Sequence, residues 1–66
     1  MDLKKKVDQL LQELKLGKFS KVISDGEKLL KKNQDKGYLF NICGLAHQRL
    51  NKIETSIVYF KKAISL

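Results

Sequence analysis

The sequence predicts an all-α protein of four antiparallel helices, and three observations support this prediction. Apolar residues recur at three- and four-residue steps along most of the 66 residues. Proline is absent and the four glycines are isolated, so no stretch has the composition of a linker. Gly17 and Asn51, two residues suited to the left-handed backbone conformation, interrupt the apolar pattern. These features together predict two pairs of helices, each joined by a short turn.

The first pair of helices is predicted on either side of Gly17. One helix covers residues 3–16, with Asp2 as its amino-terminal cap, and the next continues to about Lys32. Their apolar residues are Leu3, Val7, Leu10, Leu11 and Leu14, followed by Phe19, Val22, Ile23, Leu29 and Leu30.

The second pair is predicted on either side of Asn51. The polar stretch 33–37 breaks the periodicity, and Asp35 is a candidate cap for a third helix over residues 38–50. The fourth helix is predicted to reach the end of the sequence, and its apolar residues are Ile53, Ile57, Phe60, Ala63 and Ile64.

The two halves of the chain repeat each other, with a period equal to the separation of Gly17 from Asn51. The same shift maps Phe19 onto Ile53, Ile23 onto Ile57 and Leu30 onto Ile64. A 34-residue unit of two antiparallel helices resembles the tetratricopeptide repeat family.

The second repeat carries the resemblance most clearly. It has Phe40 at the large aromatic position, Gly44 and Ser56 at the two small positions, and then Phe60 and Ala63. The resemblance implies a right-handed α-solenoid with repeats at residues 1–36 and 37–66, which together form one domain. It also implies that the second repeat is incomplete, because it lacks the helix that caps such arrays.

The first repeat departs from the family pattern. Its apolar stripe falls one residue late relative to Gly17, which predicts a turn one residue shorter than usual. Where the second repeat pairs Gly44 with Phe60, the first pairs a leucine (Leu11, or Leu10 without the shift) with Gly26. We expect this exchange of large and small residues to be a volume compensation within each helix pair.

The formal net charge of +7 suggests an anionic partner, such as nucleic acid, an anionic surface or an acidic protein. Position weakens this inference, because four of the lysines fall near predicted helix ends, where cations offset the helix dipole. These lysines are Lys31, Lys32, Lys61 and Lys62. The run at residues 4–6 lies in a first turn, where no such role explains it.

No residue pattern indicates catalysis, a cofactor or a metal site. His47 and Cys43 are four residues apart on a predicted helix, but both fall on its apolar side and are interpreted as core residues. The carboxylates are dispersed among lysines, and no glycine-rich phosphate loop is present. We therefore expect the chain not to be an enzyme by itself. A single cysteine and an opening without a long apolar run predict a cytoplasmic protein without a membrane span.

Function is predicted from the resemblance, which implies that the first helices of successive repeats line a concave, peptide-binding groove. In the second repeat the corresponding residues are Tyr38, Asn41, Leu45, Gln48 and Arg49. With the one-residue shift, the first repeat adds Lys5, Asp8, Gln12 and Lys15. The expected function is a protein- or peptide-binding scaffold, although these positions are equally typical of ordinary solvated surface.

Two other functions are consistent with the sequence. The chain resembles repeats that accompany bacterial sulfotransferase or glycosyltransferase domains, so it could be a fragment that positions a substrate. Alternatively, its charge could drive binding of nucleic acid or an anionic surface. In addition, an uncovered apolar face including Ile57, Ile64 and Leu66 predicts either a longer array or self-association through the carboxyl-terminal end.

Overall fold

The computed structural model describes residues 2–66, and this part of the chain is entirely helical, without a strand. The four helices are α1 (Leu3–Lys15), α2 (Phe19–Leu30), α3 (Gly37–Arg49) and α4 (Ile53–Ser65). The predicted all-α class is confirmed, and the helix limits that were predicted agree with the structure to within two residues. None of the four helices combines the length and the apolar character that a membrane crossing requires.

Two amino-terminal helix caps were predicted, and the structure contains the one on α1 but not the one on α3. The carboxylate of Asp2 accepts a hydrogen bond from the backbone N–H of Lys4 at 3.0 Å, which caps α1. The predicted cap at Asp35 is wrong, because α3 begins at Gly37 and the residue before it is Lys36. Asp35 is therefore one position too early to cap the helix, and its carboxylate lies 3.4 Å from Lys36 Nζ.

The turns between α1 and α2 and between α3 and α4 are equivalent. Gly17 and Asn51 have φ angles of 80° and 63°, as predicted for left-handed turn residues. The N–H groups that follow them, of Lys18 and Lys52, donate at 2.9 Å to carbonyl oxygens at equivalent positions of the two halves. The inferred shorter first turn is therefore wrong.

The error in the turn length arose from the two adjacent leucines of α1. Leu10 is 1% exposed and belongs to the core, whereas Leu11 is 46% exposed. If Leu11 is taken as the core residue, the apolar stripe assigned to α1 lies one residue away from the side of the helix that is buried. Neighbouring residues on a helix point about 100° apart, so the choice between them changes the face that is assigned to the core.

α3 is the central helix of the structure. It packs against α1, α2 and α4, whereas no Cα atom of α2 lies within 8 Å of a Cα atom of α4. The buried apolar residues therefore form one cluster that spans both helix pairs, namely Leu10, Val22, Leu30, Leu39, Ile42, Cys43 and Ala46. Over half of this cluster is contributed by α3 alone.

Two glycines set how closely the helices approach α3. A methyl group built on Gly44 would lie 2.6 Å from Cε1 of Phe60, so the second pair does match a small residue to a large one. A methyl group on Gly26 would lie 2.6 Å from Sγ of Cys43, which belongs to the other helix pair. The expected compensation between Gly26 and a leucine of α1 is therefore wrong. Gly26 makes room for α3.

Candidate functional site

The five predicted groove residues of α3 lie together on its open side. Tyr38, Asn41, Gln48 and Arg49 are exposed, and Leu45 is half-buried between them. They occupy positions separated by about one helical turn, on the side of α3 opposite its buried residues. We call these five residues the α3 face.

The four groove residues predicted in α1 differ in register from the α1 residues that are equivalent to the α3 face. Lys5, Asp8, Gln12 and Lys15 are all exposed. Because the two turns are equivalent, the shift that relates Asn51 to Gly17 maps the α3 face onto a different set, Lys4, Val7, Leu11, Leu14 and Lys15. Only Lys15 belongs to both sets.

The remaining three predicted residues of α1 correspond to buried positions of α3. Lys5, Asp8 and Gln12 are equivalent to Leu39, Ile42 and Ala46, with which α3 packs against the first helix pair. No described helix covers the corresponding side of α1, and its residues are polar there. These three side chains therefore lie on the outer side of α1 rather than beside the α3 face.

His47 has no chemical partner that would make it a catalytic base. Its side chain is 8% exposed, and neither ring nitrogen has a hydrogen-bond partner among the described residues. The ring packs against that of Tyr59, with centroids 4.9 Å apart and the two planes tilted by 35°. Burial lowers the pKa of His47, and the positive charge of Lys52 lowers it further. The imidazole is therefore held neutral within the core.

Replacing His47 with phenylalanine is expected to reduce the acid sensitivity of the fold. Since the pKa of His47 is lowered in the folded state, the unfolded chain binds a proton more readily. The resulting contribution is fully present above the ordinary histidine pKa of about 6.5 and is lost as the pH falls below it. Urea unfolding at neutral and mildly acidic pH measures this loss, which His47→Phe should remove. An equally acid-sensitive variant would contradict this role.

Cys43 is buried and faces a different neighbour from His47. Its sulfur packs against Gly26 of α2, while His47 contacts Tyr59 of α4. Burial raises the pKa of the Cys43 thiol to about 12, with a further contribution from the carboxylate of Glu27. A thiol in this state is a poor nucleophile, so the structure offers no activated Cys–His pair.

A groove between α2 and α4 was not predicted from the sequence. It is lined by the apolar or aromatic side chains of Leu30, Phe40, Val58 and Tyr59, and by Lys31, Lys61 and Lys62. The Tyr59 hydroxyl donates a hydrogen bond to Oε1 of Glu27 at 2.6 Å and so connects the two helices across the groove. In the sequence these lysines lie near helix ends. Only the arrangement of α2 and α4 in space brings them to one groove.

The carboxyl-terminal end of the structure exposes an apolar face. Leu30 is 7% exposed, whereas the equivalent residue of the second pair, Ile64, is 84% exposed. The predicted exposure of Ile57, Ile64 and Leu66 is confirmed, and Ile53 joins them. We call Ile53, Ile57, Phe60 and Ile64 the α4 stripe, because their spacing places them on one side of α4.

The described residues thus offer the α3 face, the α2–α4 groove and the α4 stripe as surfaces for binding. Within this part of the chain, no group of three His, Cys, Asp or Glu side chains is arranged to hold a metal ion. Comparison of the chain with protein-family models, curated proteins and solved structures finds no match. Its function is therefore inferred from these surfaces.

Proposed function

We propose that this chain is a protein- or peptide-binding scaffold built from two tetratricopeptide-type repeats in a right-handed α-solenoid. The observation that carries the proposal is the equivalence of the two turns, together with the packing of α3 against both helices of the first pair. This arrangement sets the corresponding sides of α1 and α3 next to each other. A partner would therefore meet a surface that is already formed.

The α3 face has the chemistry to hold an extended peptide. Asn41 and Gln48 can both donate to and accept from a peptide backbone, and Arg49 can bind a carboxylate. Tyr38 adds an aromatic ring that loses little entropy on binding. Because the buried side of α3 fixes the helix among three neighbours, these groups are pre-organised.

The neighbouring side of α1 favours a peptide with apolar and acidic residues. By repeat equivalence this side presents Val7, Leu11 and Leu14 between Lys4 and Lys15. Leu11 is exposed and available for an apolar side chain, while the two lysines and Arg49 complement acidic ones. The preferred partner is thus an extended segment that combines apolar and acidic side chains.

The proposal is tested by peptide selection followed by a double substitution in the α3 face. Peptides selected from a random phage-displayed library should bind Asn41→Ala/Arg49→Ala about tenfold or more weakly, because two hydrogen-bonding groups are removed, one of them charged. Isothermal titration calorimetry gives the affinity, and circular dichroism checks that helicity is unchanged.

A matched double variant on the outer side of α1 serves as the control. Lys5→Ala/Gln12→Ala also removes a cation and an amide, but from positions equivalent to the buried side of α3. It should leave the affinity unchanged. Full binding by Asn41→Ala/Arg49→Ala would exclude the α3 face as the site.

The carboxyl-terminal end supports a further part of the proposal, self-association through the α4 stripe. Large exposed apolar patches on small proteins mark interaction surfaces. The transferase-fragment alternative would use the same α3 face to position a protein substrate. Binding of nucleic acid is less well supported, since Tyr59 in the basic α2–α4 groove is already engaged with Glu27.

A further inference from the structure

We propose that the α4 stripe binds the α4 stripe of a second copy of this chain, in a closed dimer whose two α4 helices run antiparallel. This inference rests on the part of the proposed function that makes the carboxyl-terminal end an interface. It adds the identity of the partner, the symmetry of the complex and the ion pairs that set its orientation. Three observations lead to it.

The first observation is that the α4 stripe occupies the place where the first helix pair is covered. By the repeat shift, the stripe residues Ile53, Ile57, Phe60 and Ile64 correspond to Phe19, Ile23, Gly26 and Leu30 of α2. Those α2 residues are buried or half-buried, whereas Ile53, Ile57 and Ile64 are exposed. An apolar helix packed on this side of α4 would give the second pair the cover that α3 gives the first.

The second observation is that the opposite end of the molecule is polar. α3 covers the first pair with Leu39, Ile42, Cys43 and Ala46, and the equivalent residues of α1 are Lys5, Asp8, Gln9 and Gln12. A head-to-tail stack of copies would press these polar groups onto the α4 stripe and bury charges without partners. The stripe itself is the matching apolar surface. Contact between identical surfaces produces a two-fold dimer, which closes, rather than a growing filament.

The third observation is the position of two charges beside the stripe. Glu54 and Lys61 lie seven residues apart on the same flank of α4, and neither has an ion-pair partner within residues 2–66. When two α4 helices run antiparallel with Ile53 opposite Ile64 of the second copy, residues of the same flank face each other. Glu54 then lies beside Lys61 of the second copy.

The two-fold axis produces this ion pair twice. A parallel arrangement would instead place the flank of Glu54 and Lys61 opposite the other flank of the second copy, and would leave both lysines without a carboxylate. Charge complementarity therefore selects the antiparallel dimer.

Sedimentation equilibrium from micromolar to millimolar concentration tests the dimer. We expect the mass to rise from 7.6 kDa towards twice that value and then to stop. Ile64→Lys should remain monomeric over the whole range, with unchanged helicity because this side chain is already exposed. Val58→Lys is the matched control. It places a lysine at another exposed aliphatic position of α4, in the α2–α4 groove, and should leave the dimer intact.

Charge reversal tests the orientation. Glu54→Lys and Lys61→Glu should each weaken the dimer about tenfold, because each converts two attractive pairs into two repulsive ones. The double variant Glu54→Lys/Lys61→Glu should restore the wild-type dissociation constant.

The possible results separate the parts of the inference. A monomer at all concentrations would overturn both the dimer and the interface, and masses that grow beyond the dimer would overturn the two-fold symmetry. A dimer that Ile64→Lys disrupts but the double reversal does not restore would overturn the antiparallel arrangement alone. Peptide binding measured on Ile57→Lys, an exposed stripe variant outside the pocket that Tyr38 and Asn41 share with Ile64, reports on the α3 face separately from the dimer.

Discussion

Replacing Gly44 with leucine is expected to destabilise the protein by about 2 kcal/mol or more. Even a single methyl group at this position would lie 2.6 Å from the ring of Phe60, and leucine adds three further carbon atoms. Overpacking of this kind costs about 3 kcal/mol or more, against a gain of about 1 kcal/mol from the better helix propensity of leucine. A domain of this size rarely has more than about 3–5 kcal/mol of stability, so about half of it would be lost. Urea unfolding followed by circular dichroism measures the loss.

Two variants control for the Gly44→Leu substitution. Gln48→Leu places the same side chain on the exposed side of α3 and should unfold like the wild type. Adding Phe60→Ala to Gly44→Leu removes the ring that leucine would overlap, and should recover part of the lost stability. If Gly44→Leu alone unfolded like the wild type, α3 and α4 could not be in such close contact at Phe60.

The Cys43 thiol is expected to react about a thousandfold more slowly in the folded protein than in the unfolded chain at neutral pH. Only the thiolate attacks a disulfide reagent. Burial, with a smaller contribution from Glu27, raises the pKa from the reference value of 9.0 to about 12. A shift of about three units lowers the thiolate fraction about a thousandfold. Labelling with an aromatic disulfide, with and without urea, measures the ratio.

A matched exposed thiol provides the control for Cys43. Gln48→Cys in a Cys43→Ala chain places the only thiol on the open side of α3, where it should react at nearly the rate of the unfolded chain. Fast labelling of folded wild-type protein would show that α3 opens away from α2, contrary to the contact of Cys43 with Gly26.

The same pKa shift predicts the direction of alkaline unfolding. Because the folded pKa is raised, the contribution of Cys43 is fully present below pH 9 and is lost as the pH rises towards 12. Burial also raises the pKa of Tyr59, so its loss adds to the alkaline transition. In Cys43→Ala, unfolding by alkali should therefore depend less steeply on pH.

The sequence predicted the helices and turns because their causes are local. Helix periodicity, the cap at Asp2 and the left-handed residues Gly17 and Asn51 depend on groups within a few positions along the chain. The residues of the α3 face were implied by the tetratricopeptide resemblance, and helical spacing keeps Tyr38, Asn41 and Gln48 on one side of α3.

The errors occurred where an assignment depended on distant residues. Leu10 and Leu11 are chemically identical, and only the position of α2 and α3 decides which is buried. That choice moved the predicted groove of α1 by one residue. Gly26 is likewise explained by Cys43, which lies far along the chain in the other helix pair.

The sequence by itself therefore determined four helices, their turns and the repeat that relates the two helix pairs. The tertiary structure alone decided which leucine of α1 enters the core, that α2 and α4 lie apart as walls of a basic groove, and that Ile64 is left uncovered where Leu30 is buried. The physical reason is the separation along the chain over which each effect acts. Hydrogen bonds and backbone preferences act between near neighbours, whereas burial depends on how segments distant in the sequence pack together.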